Sequence, residues 1–312
     1  MSKKFSCLFQ LDPLKELNLE TDSTISLIKK AIQMEMNVWI TTPNTLSFEN
    51  QRAKVVAQLI QNTQLKLGSN KQCNLEDFDY YFIRQDPPFD MDYLTNLYIL
   101  EIHNKSHKKP FFVNNPSGIK NFTEKIFPFY FNDLIPYTVI TADVKIFSNM
   151  LERFPTVVLK TLYNKGGEGI YKVNNLNEKS KRLFKKITNS FRSQIIIQEF
   201  LDDVKSGDKR ILLINGKPDG VVNRIPKEGQ FKANLHLGGK AERSLLTKKE
   251  NEICNRLART LRRQKLFFVG IDVINEKLTE INVTSPTGIV QIESLYKTDF
   301  CKVFWQKLLK IN

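Results

Sequence analysis

Two acidic side chains face each other in the strand pair predicted from the stretch VGIDVINEKLTEINVTSPTG, residues 269–288. An apolar segment, a short polar turn at 275–277 and a second segment that begins at Leu278 are typical of a β-hairpin. Closure at this turn places Asp272 directly opposite Glu280. Like charges opposite each other destabilise a strand pair, and at ~5 Å with an effective dielectric of ~20 the repulsion is about 3 kcal/mol. The pair therefore needs a partner that offsets this repulsion.

A third oxygen donor lies on the same face of the predicted hairpin. Side chains alternate along a strand, so Asn282 shares a face with Glu280, and the residue opposite Asn282 is Gly270, which leaves space. The other predicted pairs are Val273 with Thr279 and Ile274 with Leu278. Two carboxylates and an amide oxygen are hard ligands suited to Mg²⁺, and a divalent cation would turn the repulsion into attraction. The alternative is a pair of solvent-facing acids balanced by nearby lysines.

A glycine-bearing loop follows a lysine in the segment VVLKTLYNKGGEGIYKV. The pattern predicts a strand that ends at Lys160, a loop with Gly166, Gly167 and Gly169, and another strand. Such glycines permit positive φ and let consecutive N–H groups cradle a phosphate, although the loop lacks the GK[ST] of a P-loop. An ordinary hairpin loop is the alternative. Taken alone, Lys160 and Lys125, in EKIF, also fit surface lysines.

Two arginines lie on a predicted hairpin that turns at NGKP. Arg210 precedes this turn and Arg224 follows it, and pairing about the turn places them close to opposite. Two arginines on one sheet face form a natural fork for carboxylates or phosphates, and a solvated pair is the alternative. The next segment, PKEGQFKANLHLGGKAE (residues 226–242), is too long for a tight turn. It is either a mobile lid over a reaction site or a plain surface loop.

The elements that must position these residues fall into two regions, so the predicted fold class is α/β and α+β. Strands and helices alternate up to about residue 120, which predicts a parallel sheet with helices on both faces; one helix begins at Asp22 and another is expected around Glu49–Thr63. After Pro136 the pattern changes to antiparallel strand pairs, with a long helix at Lys248–Gln264.

The composition is that of a folded protein. Of 312 residues 41% are hydrophobic, and no apolar run approaches the ~18 residues that cross a bilayer. The N-terminal segment MSKKFSCLFQLDP becomes polar too early for a signal peptide, so a cytoplasmic location and no membrane partner are expected. The four cysteines are isolated and the three histidines lack zinc-site spacing, which predicts reduced, structural thiols.

The net charge of +14 is compatible with a nucleic-acid partner, but we predict none. Basic residues are spread along the chain and mixed with acids. The densest run, residues 178–192, fits an amphipathic helix with Leu183, Ile187 and Phe191 on its buried stripe. A positive field would still attract anionic substrates.

Read together, the segments resemble one family. FQLDPLKELNLETDST, RQDPPFDMDY, VNNPSGIKNFTEKIF, GDKRILLINGKP, NLHLGG and FVGIDVINEKLTEINVTSPTGI are similar to segments of the prokaryotic-type glutathione synthetases, and the resemblance runs nearly end to end. It implies an ATP-grasp fold preceded by an N-terminal parallel-sheet (pre-ATP-grasp) domain. The implied domains are an N-terminal α/β substrate domain at 1–121, a lid subdomain at 122–200 and a catalytic subdomain at 201–312.

The resemblance also implies a reaction and its site. ATP would phosphorylate the cysteinyl carboxylate of γ-glutamylcysteine, and glycine would attack the acyl phosphate to give glutathione, ADP and phosphate. The implied ligands of Mg²⁺, or of Mn²⁺, are Asp272, Glu280 and Asn282. The implied nucleotide-binding residues are Lys125, Lys160, Gly166, Gly167, the Gln198–Leu201 segment with Glu199, and Asp208. The implied catalytic and substrate-binding residues are Arg210 and Arg224, together with Asn282, Ser285 and Thr287.

Several positions depart from the family pattern, among them Thr161, Lys165 and Asp202. In the segment 226–242, interpreted above as a possible lid, Lys232 and Ala233 stand where arginine and glycine are usual. Two alternatives stay open: an ATP-grasp ligase for another carboxylate and amine, and a catalytically inactive nucleotide-binding relative. The resemblance further implies a homo-oligomer, in the form of a tetramer.

Overall fold

The computed structural model describes residues 4–164, 167–235 and 238–311, which form three successive β-sheets. The strands of the first sheet are β1 Ser6–Gln10, β2 Asn37–Thr41, β3 Ser47–Glu49, β4 Arg52–Ile60, β5 Leu67–Asn74, β6 Tyr80–Ile83 and β7 Phe111–Val113. Its helices are α1 Ser23–Gln33, α2 Met91–Ser106 and α3 Pro116–Asn121. The strand order is β3-β4-β2-β1-β6-β7, with β5 paired to β4. The α/β region thus precedes the other two sheets, as predicted.

The first sheet is only partly parallel. The helix expected around Glu49–Thr63 is wrong, because residues 52–60 form the antiparallel strand β4. Strands β2, β1, β6 and β7 are parallel, whereas β4 runs antiparallel to β2, β3 and β5. In β4 the side chains of Ala53, Val55 and Ala57 are buried with a period of two, which is the pattern of a strand. Pairing with β5 determines the structure of this segment in spite of its several good helix formers.

The second sheet is antiparallel throughout. Its elements are β8 Thr138–Thr141, α4 Val144–Arg153, β9 Val157–Lys160, β10 Ile170–Val173, α5 Glu178–Ile187 and β11 Ile195–Glu199, in the strand order β10-β9-β11-β8. The predicted buried stripe of the basic helix is wrong at Phe191, which is 46% exposed. The helix ends at Ile187, and residues 189–191 all have positive φ, so Phe191 cannot continue the stripe. Phe184 is buried in its place and stacks on Phe147 with ring centroids 4.7 Å apart.

The third sheet carries most of the predicted site residues. Its elements are β12 Asp208–Ile214, β13 Lys217–Ile225, β14 Lys240–Glu242, α6 Lys248–Arg263, β15 Phe268–Ile274, β16 Lys277–Asn282, α7 Ile289–Tyr296 and α8 Phe300–Leu308, in the antiparallel order β14-β13-β12-β15-β16. Short 3₁₀ helices lie at Leu14–Glu16, Pro43–Thr45, Leu75–Asp77, Phe127–Phe131 and Asp202–Ser206. Helix α6 begins one residue after Thr247, which forms a capping box with Glu250.

Hydrophobic packing joins the first sheet to the third but leaves the second sheet separate. One buried cluster contains Leu8 and Tyr81 together with Ile211, and another contains Phe9 together with Leu212. The second sheet and its helices enclose a cluster of their own. The first and third sheets therefore form one body, and a cleft can form where the second sheet meets it. Among the described residues, no helix has the length and apolar character needed to span a bilayer.

The four cysteines are free and buried, as predicted. Burial raises the pKa of Cys7, Cys73, Cys254 and Cys301, so each thiolate is disfavoured at neutral pH. We expect a water-soluble thiol reagent to label none of the four in the native protein and all four after denaturation. A time course of absorbance at pH 8 measures this, and any native thiol that reacts faster than the protein unfolds would contradict the expectation.

Candidate active site

A cavity of about 880 Å³ lies between the second and third sheets. The described residues among those predicted for the site all line this cavity: Lys125, Lys160, Gly167, Gln198, Glu199, Leu201, Asp208, Arg210, Arg224, Asp272, Glu280, Asn282, Ser285 and Thr287. Gly166 lies outside the described residues. Side chains spread over more than 160 positions of the chain thus meet in one cleft.

The hairpin of β15 and β16 brings the three predicted metal ligands together. Asp272 pairs with Glu280 and Gly270 with Asn282, as predicted from the sequence. The Asn282 Nδ2 atom lies 3.3 Å from Asp272 Oδ2, to which it donates a hydrogen bond. A β-carbon on Gly270 would meet Arg210 Cδ at 3.1 Å, so the space left by this glycine admits the arginine side chain.

The tip of this hairpin differs from the prediction. The expected pairs Val273–Thr279 and Ile274–Leu278 are wrong; the structure pairs Val273 with Leu278 and Ile274 with Lys277. Asn275 and Glu276 have φ of 45° and 59°, as in the two-residue turns that fit strand twist. The register then shifts between Asp272 and Val273, and Thr279 is the unpaired extra residue. The shorter turn and the bulge compensate, so that Asp272 and Glu280 still face each other.

Two arginines offset the repulsion between the acids. Arg210 lies opposite Asp272 on β12, and its Nη2 atom is 3.0 Å from Asp272 Oδ2. Arg224 Nη2 is 3.0 Å from Asp272 Oδ1. Burial by itself would raise the pKa of Asp272, but the two guanidinium groups outweigh it and hold that pKa below its usual range. Two arginines of the chain therefore offset part of the repulsion between Asp272 and Glu280 for which the sequence predicts a metal ion.

The register of β12 and β13 corrects the predicted position of the arginines. Arg210 pairs with Val222 and Arg224 with Asp208, so the two arginines are offset by two residues and do not stand opposite each other. They still share a sheet face, and Asp208 Oδ2 accepts a hydrogen bond of 2.6 Å from Arg224. Burial raises the pKa of Asp208 to about 6 against the attraction of Arg224. A bulge between Leu212 and Leu213, which the sequence does not reveal, accounts for part of the shift.

Glu280 is the less compensated of the two facing acids. It forms an ion pair with Lys160 of the second sheet, whose Nζ lies 4.0 Å from Glu280 Oε1 across the cleft. Burial lowers the pKa of Lys160, and Glu280 partly counteracts this. The donor set of Asp272, Glu280 and Asn282 is two carboxylates and one amide, which fits a hard divalent cation.

The opposite wall is formed by the second sheet and its glycine loop. Lys125 Nζ donates a hydrogen bond to the Asn164 carbonyl, and Gln198 Nε2 donates to Thr138 Oγ1 at 2.8 Å. Gly169 has a φ of +67°, and a β-carbon there would lie 2.0 Å from Thr161 Oγ1. This close approach requires glycine, which keeps the loop folded back over the end of β9.

The segment between β13 and β14 covers part of the cavity. Lys232 Nζ donates a 2.7 Å hydrogen bond to the Gly167 carbonyl, and Phe231 packs edge-on against Phe200 with ring centroids 6.1 Å apart. Ala233 is 3% exposed. These contacts favour the lid interpretation over a plain surface loop, and they show that lysine at position 232 reaches the glycine loop.

We expect Lys232→Met to raise the KM for ATP about 10-fold, because a hydrogen bond from a charged donor is lost where the two loops meet. Steady-state kinetics with varied ATP measure this. Lys227→Met is the matched control, since Lys227 is exposed in the same segment. Equal KM values for the two variants would show that the Lys232 contact does not hold the segment closed.

Glu124 lines the same cavity and is not among the residues predicted from the sequence. Its Oε1 atom accepts a hydrogen bond from Thr284 Oγ1, and burial raises its pKa. Glu124 directly precedes Lys125 in the TEKIF segment, but no spacing pattern singles it out. Only its position opposite the third sheet reveals it.

Solved structures share this architecture over almost the whole chain. D-cycloserine synthetase DcsG aligns with a TM-score of 0.70 at 11% identity, covering 97% of this chain and 99% of that one. D-alanyl-alanine synthetase A from Vibrio cholerae aligns with a TM-score of 0.61 at 16% identity, covering 99% of both. ATP-grasp ligase PsnB aligns with a TM-score of 0.66 at 13% identity, covering 99% of this chain and 98% of that one. The fold is that of the ATP-grasp ligases.

Sequence comparison identifies the family within this class. Residues 5–120 match the N-terminal domain of prokaryotic glutathione synthetase, and residues 124–297 match its ATP-grasp domain. The glutathione synthetase of Mesorhizobium japonicum is 36% identical over 309 residues, covering 97% of both chains. That of Brucella melitensis is 37% identical over 301 residues, covering 95% of this chain and 96% of the other. The chain belongs to the prokaryotic glutathione synthetase family and is an ATP-dependent ligase.

Proposed function

We propose that this cleft joins glycine to γ-glutamylcysteine through an acyl phosphate, giving glutathione, ADP and phosphate. The observation that carries the proposal is the full-length similarity to glutathione synthetases, combined with the acid–acid–amide group of the hairpin in one cavity with two buried arginines. The reaction needs no covalent enzyme nucleophile. It needs positioned charges, since the departing phosphate and the tetrahedral intermediate both develop negative charge.

In this proposal one end of the cleft binds the nucleotide and its metal ion. Asp272, Glu280 and Asn282 hold Mg²⁺ or Mn²⁺, which when bound neutralises the phosphate oxygens of ATP. Lys125 and Lys160, which both line the cavity, contact phosphates. The glycine loop, to which Gly167 belongs, covers them, and the sequence assigns Gly166 the same role. The Gln198–Leu201 segment binds adenine through its backbone. Asp208 acts through Arg224, which it holds in place.

The other end of the cleft binds the dipeptide. Arg210 Nη1 donates to the Thr287 carbonyl at 3.1 Å while its other nitrogens bind Asp272, so its guanidinium group is fixed beside the Ser285–Thr287 segment. Arg210 and Arg224 stabilise the acyl phosphate and the oxyanion that follows it. Ser285 and Thr287 contact the dipeptide, and the lid segment excludes water from the acyl phosphate.

A turnover assay tests the proposal. ADP release should require ATP, a divalent cation, γ-glutamylcysteine and glycine together. Release with another carboxylate and amine, and none with this pair, would assign the cleft to a different ligase reaction. No release with any pair, while ATP still binds, would favour an inactive nucleotide-binding relative.

We also propose a homo-oligomer located in the cytoplasm. The buried, reduced thiols of this chain suit a reducing compartment, where a thiol substrate would also stay reduced.

Light scattering coupled to size exclusion would measure the mass of the proposed homo-oligomer, for which we expect four copies of the 36.3 kDa chain.

A further inference from the structure

Glu124 is a half-buried carboxylate in the cavity, and the reaction outlined above gives it no role. Its backbone carbonyl accepts a hydrogen bond from Ile281 N at 3.1 Å, which fixes this segment to β16 beside the metal-binding pair. Its side chain accepts the hydrogen bond from Thr284, just before the segment that binds the dipeptide. Hydrogen bonds therefore fix both the backbone and the side chain of Glu124, between the metal-binding pair and the Ser285–Thr287 segment.

Glu124 has no ion-pair partner among the residues that the structure describes. Across residues 4–164, 167–235 and 238–311, no lysine or arginine forms an ion pair with it, whereas Asp208 and Asp272 both pair with arginine. Burial raises the pKa of Glu124; the Thr284 hydrogen bond lowers it, the charge of Glu280 raises it, and the charges of Lys125 and Arg210 lower it. A half-buried carboxylate that lines the cavity without an ion-pair partner is stabilised by a cation that enters the cavity.

The substrates supply one cation at this point. ATP, the acyl phosphate and the carboxylate of the incoming amino acid are all anionic, and the arginines and lysines of the cleft suit them. The amino group of the incoming amino acid is cationic before it reacts. The amino group of the γ-glutamyl unit lies several bonds away from the reacting carboxylate, so it does not compete for a site next to Arg210.

We propose that Glu124 binds the ammonium group of the incoming amino acid and holds it beside the acyl phosphate. This inference rests on the proposed function and deepens it, because it names the residue that recognises the second substrate. Thr284 orients the carboxylate for that role. Arg210 lines the same cavity and binds the group under attack.

The test compares two nucleophiles in Glu124→Gln. Glycine arrives as an ammonium ion, whereas hydroxylamine is uncharged at neutral pH and traps the acyl phosphate as a hydroxamate. We expect the KM for glycine to rise about 10- to 100-fold while hydroxamate formation from ATP and γ-glutamylcysteine stays within about 3-fold of the parent protein. An unchanged KM for glycine, or an equal loss with both nucleophiles, would overturn the inference.

Two further variants keep the result interpretable. Thr284→Val removes the hydrogen bond but keeps the carboxylate, so it should raise the KM for glycine by a smaller factor than Glu124→Gln does. If Glu124→Gln does not fold, an unchanged KM for glycine in Thr284→Val overturns the inference. Glu252→Gln removes an exposed acid on α6 and should behave like the parent. If the parent protein itself forms no hydroxamate from γ-glutamylcysteine, it is the proposed function that fails.

Discussion

Glu280→Gln is expected to lower the turnover number for ADP release by about 100-fold or more. The substitution keeps the shape of the side chain but removes the less compensated charge of the facing pair, since Glu280 contacts Lys160 at 4.0 Å whereas Asp272 contacts two arginines. In our proposal Glu280 is a ligand of the divalent cation, and loss of a charged ligand weakens both metal binding and the stabilisation of phosphate charge. Steady-state assays across a range of Mg²⁺ concentrations measure the effect, and the apparent metal affinity should fall together with turnover.

The matched control for this variant is Glu276→Gln at the tip of the same hairpin. Glu276 contacts Thr247 and Lys249, outside the cavity, so its loss should leave turnover within about 2-fold of the parent. Glu280→Gln with full activity would remove Glu280 from the metal site. A nucleic-acid-binding protein, by contrast, would retain salt-sensitive binding in both variants.

The sequence predicts this site well where the geometry is local. Alternation along a strand and a short polar turn suffice to place Asp272 opposite Glu280. The prediction of the tip fails because a two-residue turn with a bulge at Thr279 and a longer turn without a bulge give the same register beyond it. Only the backbone angles distinguish these two structures.

The sequence predicts little where the geometry depends on strand order. Arg210 lies opposite Asp272 because β12 pairs with β15, and the intervening residues do not reveal this pairing. The same applies to Glu124, which comes into contact with Thr284 only after the chain folds across 160 residues. The error in the first sheet has a similar origin, because β4 becomes a strand through its pairing with β2, β3 and β5.

Arg210→Lys is expected to reduce kcat/KM by about 100- to 1000-fold, although the charge is retained. Arg210 uses three nitrogen atoms at once, two toward Asp272 and one toward the Thr287 carbonyl. A lysine ammonium group cannot reproduce this planar fork. Asp272 would keep Arg224 as its one arginine partner, and the Thr287 carbonyl would lose the hydrogen bond that joins it to β12. Kinetics with γ-glutamylcysteine varied at saturating ATP and glycine measure the loss.

The size of the loss in kcat/KM shows whether Arg210 acts by its hydrogen-bond geometry or only by its positive charge. If a positive charge near Asp272 were sufficient, Arg210→Lys would retain most of its activity, and the role assigned to the fork would be wrong. Arg256→Lys is the control, because Arg256 also makes a two-nitrogen contact with a carboxylate, that of Asp133, but at an exposed site. An exposed pair contributes little, so that variant should match the parent in both activity and thermal stability. A buried fork that orders a substrate-binding segment should instead affect activity far more than the melting temperature, since Lys still leaves Asp272 with two cations.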